Sequence, residues 1–154
     1  MKKSSVWSLG LFFVLALGVV GVGDAFSCQC GCTPGFWKNN TDQWEGFTPD
    51  QPLWTVFGEF PDALSSLEED TLLDALQYPG GPGLEGAARI MLRQAVAALL
   101  NEHHHRISHY TWGTVERLVM EALEDPDRDA LIVLSAYFMY ENELGCPLNA
   151  IRTH

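Results

Sequence analysis

The placement of the four cysteines is the strongest constraint on how this chain can fold. Cys28, Cys30 and Cys32 stand within five residues, and Cys146 stands near the other end of the sequence. The sequence leaves three pairings open, and each of them bonds Cys146 to one of the N-terminal three. That bond closes a loop of about 115 residues and stabilises the fold by on the order of 4 to 5 kcal/mol, because it restricts the unfolded chain. The two remaining cysteines would close a very short ring.

A metal site built from the same thiolates is the alternative to disulfides, with zinc or copper as the ion. Structural zinc sites space their cysteines by two to four residues, whereas here a single residue separates each neighbouring pair. An even number of cysteines in an exported chain favours disulfides. The absence of a Cys-x-x-Cys-His sequence excludes c-type haem attachment.

The first 25 residues predict export. The sequence begins with a positively charged segment that contains Lys2 and Lys3, followed by an apolar run over residues 6–23. Ala25 supplies the small residue that a signal peptidase needs. Residues 1–25 are therefore predicted to be a signal peptide, and residues 26–154 a single secreted helical domain.

Two alternatives to cleavage remain open. An uncleaved membrane anchor is one, because roughly 18 apolar residues can just span a bilayer. Lipidation of Cys28 is the other, although the bulky Phe26 stands where a small residue is usual.

The charge of the chain excludes two classes of partner. Nine Lys and Arg stand against 20 Asp and Glu, for a formal net charge of −11. Removal of the signal peptide takes away two Lys and one Asp, so the secreted domain is slightly more acidic. Such a charge repels phosphate backbones and anionic membrane surfaces. We expect neither nucleic acid nor membrane binding after cleavage, and we expect other extracellular proteins, further copies of the chain or glycans as partners.

The hydrophobic pattern predicts an all-α fold, a small irregular bundle of about four helices behind an aromatic-rich irregular N-terminal segment. Apolar residues recur at three- and four-residue steps, with start and stop signals between the segments. The predicted helices are a short one capped by Asp70, a long one over residues 84–102, a third from Thr111 or Thr114, and a fourth from Asp125-Pro126 to about residue 143. The predicted inward face of the fourth helix comprises Ala130, Val133, Leu134, Tyr137 and Phe138.

Thr33-Pro34 predicts one or two further helical turns inside the aromatic segment, because it places a cap before a first-turn proline. Candidate interface residues in and after these turns are Phe36, Trp37, Trp44 and Trp54. Flat aromatic rings stack on sugars or on apolar partner surfaces. The alternative is that they cover one side of a small core.

A histidine cluster provides the second candidate site. His103, His104 and His105 follow Glu102, and His109 stands four residues beyond His105. Two imidazoles four residues apart on a helix can bind one metal ion, so zinc or copper binding is an alternative function. The alternative is a structural role, in which these side chains lie at the C-terminus of a helix and interact with the helix dipole.

Motifs of the common enzyme classes are missing. The sequence has no Gly-x-Ser-x-Gly, no His-Glu-x-x-His and no glycine-rich phosphate loop followed by Lys and Ser or Thr. An enzyme with an unrecognised site is therefore the weakest of three hypotheses.

Several motifs together resemble those of an uncharacterised module found in secreted bacterial and archaeal proteins. The matching stretches are Cys32-Thr33-Pro34-Gly35-Phe36-Trp37-Lys38-Asn39, Asp70-Thr71-Leu72-Leu73, Gly86-Ala87-Ala88-Arg89, residues 92–101 and Leu144-Gly145-Cys146-Pro147-Leu148-Asn149. The chain departs from the module at Asn40, where His is usual, and in its three consecutive histidines. The resemblance implies an extracellular or surface module and no particular activity. We therefore expect a non-enzymatic module for structural assembly or partner binding.

Overall fold

The computed structural model describes residues 29–107 and 111–148. All elements of regular secondary structure within these residues are helices. The predicted signal peptide, Cys28 and His109 lie outside these residues. The six α-helices are α1 (Pro34–Lys38), α2 (Trp54–Phe57), α3 (Leu72–Ala75), α4 (Gly83–His103), α5 (Thr114–Glu124) and α6 (Arg128–Asn142). Two 3₁₀ helices, Thr41–Gln43 and Asp62–Leu67, lie between the first of them. The predicted all-α class is confirmed.

The four predicted helices correspond to α3 through α6, and the turns predicted after Thr33 correspond to α1. The Thr33 side chain caps α1 by accepting a hydrogen bond from the Phe36 amide, as its sequence position predicts. The short α2 forms within the segment predicted to be irregular. None of the helices in the described part of the chain is both long and apolar enough to cross a bilayer.

Helix α4 forms the centre of the domain, and α6 packs against it more extensively than any other element does. From Gln94 to Glu102 every residue of α4 is buried. Small side chains such as Ala95, Ala97 and Ala98 let neighbouring elements approach its backbone closely. This central helix is the scaffold from which the candidate sites are built.

Two predicted caps are wrong by one or two residues. Thr71, not Asp70, caps α3, and it exchanges hydrogen bonds with Asp74 in a capping box. Asp127, not Asp125, caps α6, because its carboxylate accepts from the amides of Asp129 and Ala130 at 3.0 and 2.9 Å. In each case the competing acidic residue is close in sequence, and only the backbone geometry distinguishes the two.

The inward face predicted for α6 is wrong in most of its members. Phe138 is buried as predicted and Leu134 is partly buried against the core, but Ala130 is exposed, Val133 is 70% exposed and Tyr137 is 44% exposed. The buried face instead comprises Leu131, Ser135, Phe138 and Asn142. Helix α6 is therefore apolar on two sides, and hydropathy alone does not distinguish which of them meets α4.

A disulfide between Cys32 and Cys146 connects the start of the domain to the segment after α6. Cys30 is also disulfide-bonded. Gly31, which lies between Cys30 and Cys32 in the sequence, is so close to α6 that an added Cβ would overlap the Glu141 carbonyl oxygen. The Gly31 amide donates to the Gly145 carbonyl at 3.2 Å. The predicted link between the two ends is confirmed, and Cys32 and Cys146 are not thiolate ligands.

Candidate functional site

A buried asparagine network lies behind the disulfide. The Asn101 Oδ1 atom accepts from the Cys32 amide at 2.9 Å and from the Trp37 indole at 3.0 Å. Its Nδ2 group donates to the Cys32 carbonyl at 3.0 Å and to Asn142 Oδ1 at 2.8 Å. Two acceptor positions and two donors use the full capacity of the amide. Asn101 therefore joins the N-terminal segment, α1 and α6 to α4.

The network continues through Asn142 on α6. The Asn142 Nδ2 group donates to the backbone carbonyl and the side-chain oxygen of Gln94, both at 3.0 Å. Gln94 and both asparagines are buried. Hydropathy gives no reason to expect the polar residues Gln94 and Asn142 in the core. The only sequence signal for this network is a polar residue, Asn101, that directly follows an apolar helical run.

The structure divides the predicted histidine site into two groups. His104 and His105 lie near Glu45, whereas His103 lies near Glu102 and Glu116. Because α4 ends at His103 and the chain turns there, consecutive histidines point to different neighbours. Sequence reasoning missed Glu45 and Glu116, which are distant along the chain and carry no motif.

Hydrogen bonds in the first group hold a loop in place. Glu45 accepts from the backbone amide of His105 at 2.9 Å and contacts the His105 Nδ1 atom at 2.6 Å. Partial burial alone would raise the pKa of Glu45, but these two hydrogen bonds lower it overall. Burial lowers the pKa of His104, which favours its neutral ring.

The tautomer of His104 limits what this first group can bind. The Arg106 amide donates to His104 Nδ1 at 3.2 Å, so a neutral ring carries its proton on Nε2. That Nε2–H group lies on the side of Glu45, with 3.8 Å between Nε2 and the Glu45 Oε1 atom. A protonated nitrogen has no lone pair for a metal ion, and ligating histidines usually donate from their other nitrogen. The hydrogen bonds of the first group therefore favour a structural role over metal binding.

The second group caps helix α5. The N-cap residue of α5 is Gly113, which has no side chain to cap the helix. Glu102 takes over this role, with its Oε1 atom 2.9 Å from the Thr114 amide and its Oε2 atom 3.4 Å from the Val115 amide. A carboxylate at a helix N-terminus satisfies unpaired amides and interacts favourably with the dipole.

Glu102 is only 4% exposed, and such burial disfavours its charged form. Burial raises the pKa of Glu102 to about 7. The hydrogen bonds from the Thr114 and Val115 amides lower the pKa, whereas the negative charge of Glu116 and a hydrogen bond between the two carboxyl groups raise it. The His103 ring packs edge-to-face with both the Phe47 and the Trp112 ring, at centroid distances of 4.7 and 4.3 Å. Its Nε2 atom is 3.1 Å from Glu116 Oε1.

The four aromatic residues predicted for an interface have different environments. Trp37 is completely buried, and Phe36 contacts it edge-on at 5.1 Å. Trp44 is partly buried, and its indole donates to the Trp37 carbonyl at 3.1 Å. Trp54 lies apart on α2 and is 45% exposed. Packing and hydrogen bonding thus account for three of the four.

An open, largely apolar groove lies between α5 and α6. Its volume is about 650 Å³, and it is lined by Thr114, Arg117, Leu118, Ala130, Val133, Leu134 and Tyr137. We call the α6 side of it, with the adjoining Tyr140, the outer stripe: Ala130, Val133, Leu134, Tyr137 and Tyr140. These positions recur at three- and four-residue steps and so lie along one side of the helix. Four of them belong to the face that the sequence pattern predicts to be inward.

Fold and sites together define a small all-α domain with disulfide-linked ends and an exposed apolar helix face. The chain matches no family model, no curated protein and no solved structure. Its function is therefore inferred from its own geometry.

Proposed function

We propose that this chain is a non-enzymatic interaction module of an exported protein, and that the outer stripe of α6 binds a partner protein. The observation that carries the proposal is the second apolar side of α6. A helix that is apolar all round is normally buried on all sides. Here one side packs on α4, while Val133 and Tyr140 on the other are 70% and 66% exposed.

The shape of the surface favours a helix as the ligand. The stripe runs along α6 and borders the groove that Leu118 lines from α5. An amphipathic helix recognises such a groove through apolar residues at matching three- and four-residue steps. Large exposed apolar patches are uncommon on monomeric proteins and mark interaction sites.

The charge of the chain favours a basic partner over a second copy. With a formal net charge of −11, two copies repel each other. A helix with Lys or Arg on its flanks gains attraction at the rim, which increases the rate and the specificity of association. We therefore infer that the partner presents an amphipathic helix with an apolar face and basic flanks.

The signal peptide predicted from the sequence supports an extracellular location for this interaction. Residues 1–25 combine a charged start, an apolar run and a small residue before the predicted cleavage site. Disulfides, which form and persist in oxidising compartments, agree with that location. The resemblance to a secreted module points the same way.

The double substitution Val133→Asp and Tyr137→Asp tests this interaction surface. We expect a designed Leu/Lys amphipathic helix to shift the methyl NMR signals of Val133, Leu134 and Leu118 in the native protein. The double variant should bind it at least about tenfold more weakly, because two charges replace apolar contacts at the centre of the surface. Its unfolding free energy should change by less than about 0.5 kcal/mol per site, since both side chains are exposed.

Met120→Asp is the matched control, because Met120 is an exposed apolar residue of α5 that lines a different cavity. It should leave peptide binding intact. Equal loss in Met120→Asp, or equal binding of a peptide with the same composition and a scrambled apolar face, would contradict a specific groove. If analytical ultracentrifugation shows that the native protein is a dimer and that Val133→Asp is a monomer, the partner is a second copy of the chain and not a basic helix.

A further inference from the structure

Two carboxylates and one imidazole converge where α4 ends beside α5. Glu102 and His103 come from the last turn of α4, and Glu116 comes from the first turn of α5. Each supplies one potential ligand atom, and the three atoms lie within 4.8 Å of one another. This spacing is compact enough for one ion to contact all three after small side-chain movements.

One carboxylate oxygen of the cluster receives no hydrogen bond from an N–H donor. The Oε2 atom of Glu116 is buried and has no such donor in the described part of the chain, and a hydrogen bond to the Glu102 carboxyl group requires a proton shared by the two acids. A buried polar atom without a partner costs about 1–3 kcal/mol, and more when it is charged. When it is ionised, the neighbouring Glu102 adds a second negative charge. The cluster thus needs a cation or a shared proton to balance it.

We propose that Glu102, His103 and Glu116 bind one divalent transition-metal ion, with Zn²⁺ as its representative. One imidazole nitrogen and two carboxylate oxygens form a ligand set that Zn²⁺ accepts, and three protein ligands leave a position for water or for a further ligand. Calcium is a poorer match, because it takes six to eight oxygen ligands. This inference is independent of the outer stripe and of its partner.

The surrounding residues hold the ligands in position before any ion binds. The amides of Thr114 and Val115 orient the Glu102 carboxylate and leave lone pairs on its oxygens. Phe47 and Trp112 both pack against the His103 ring and restrict its orientation. Contacts of this kind orient metal ligands and strengthen binding.

The other histidine group lacks these properties. The Arg106 amide donates to His104 Nδ1, which fixes the proton of a neutral ring on the Nε2 atom facing Glu45. The His103 Nε2 atom also contacts a carboxylate, that of Glu116, but none of its contacts within the described part of the chain fixes its tautomer through Nδ1. His105 is exposed, with 69% of its side chain accessible. The geometry therefore favours the site at His103 over the site at Glu45.

Zinc titration of the oxidised, EDTA-treated protein tests the proposal. Calorimetry should give one Zn²⁺ per chain, and zinc should raise the melting temperature because the ion binds only the folded arrangement of α4 and α5. Glu116→Gln should weaken binding at least about tenfold, as loss of a metal ligand exceeds the effect of losing a supporting contact. Co²⁺ should give visible absorption bands in the native protein that are lost in this variant.

Glu45→Gln is the matched control, since it removes the carboxylate of the other histidine group and should leave zinc affinity unchanged. His103→Gln replaces Glu116→Gln if circular dichroism shows that the latter is unfolded. Three results would overturn the proposal: no saturable binding, a loss in Glu45→Gln equal to that in Glu116→Gln, or full zinc affinity in both His103→Gln and Glu116→Gln. The first of these leaves a shared proton as the balancing charge.

Discussion

Replacing Cys32 and Cys146 together by alanine should lower the unfolding free energy by about 4 to 5 kcal/mol, the loop-entropy value for a link across 114 residues. Domains of this size are stable by only about 5–15 kcal/mol, so the variant should lose a large part of its stability. The disulfide acts mainly on the unfolded chain, whose two ends it keeps together. Urea unfolding followed by circular dichroism measures the difference.

Alanine is preferred to serine in this variant because Cys32 is fully buried and a hydroxyl group there would need a hydrogen-bond partner. Changing both residues avoids a single thiol that could form incorrect disulfides. As a control, reduction should destabilise the native protein at least as much as the double substitution does. A double variant within about 1 kcal/mol of the native protein would contradict the chain-entropy account.

Asn101→Ala should be the most damaging single substitution in the network behind the disulfide. It leaves the Cys32 amide and the Trp37 indole without their shared acceptor, and the Asn142 oxygen without its donor. Each buried unpaired group costs about 1–3 kcal/mol, so we expect a loss of at least about 3 kcal/mol. Urea unfolding gives this value, and the near-ultraviolet circular dichroism of Trp37 reports the local disruption.

Asn101→Asp distinguishes loss of volume from loss of hydrogen bonding, because the two side chains have nearly the same shape. The aspartate places an oxygen against the Cys32 carbonyl and against Asn142 Oδ1, where the native amide donates. We expect a loss as large as that of Asn101→Ala. The exposed Asn39, which also donates to a backbone carbonyl, provides the control, and Asn39→Ala should cost about 1 kcal/mol or less. Full stability of Asn101→Asp would show that packing alone matters at this position.

These two features explain how a short chain can present an apolar helix face to solvent. The α6 residue Asn142 is bound to α4 through Asn101 and Gln94, and the disulfide fixes the segment that follows α6. Both constraints act on the inner side of the helix and determine its rotation about its own axis. The outer stripe consequently faces away from α4, with only Leu134 partly buried, and a surface fixed in this way would reduce the entropy lost on binding of the proposed partner.

The sequence by itself determined the features that depend on short-range pattern or on cysteine chemistry. Helical periodicity predicted the all-α class and the positions of α4, α5 and α6 to within a few residues. Thr33-Pro34 predicted α1, and the cysteines predicted that the two ends are joined. Local backbone preferences and the repeat of apolar residues are encoded within a few neighbouring positions, so they need no knowledge of the fold.

Only the tertiary structure decided which side of α6 faces inward, which cysteine bonds to Cys146, and which carboxylates accompany the histidines. Val133 and Leu131 are equally apolar, and α4 selects between them through a polar contact with Asn142 that hydropathy does not register. Glu116 meets His103 from another helix, with a turn of the chain between them. Such choices depend on long-range contacts, whose partners are distant in the sequence and are brought together only when the helices pack.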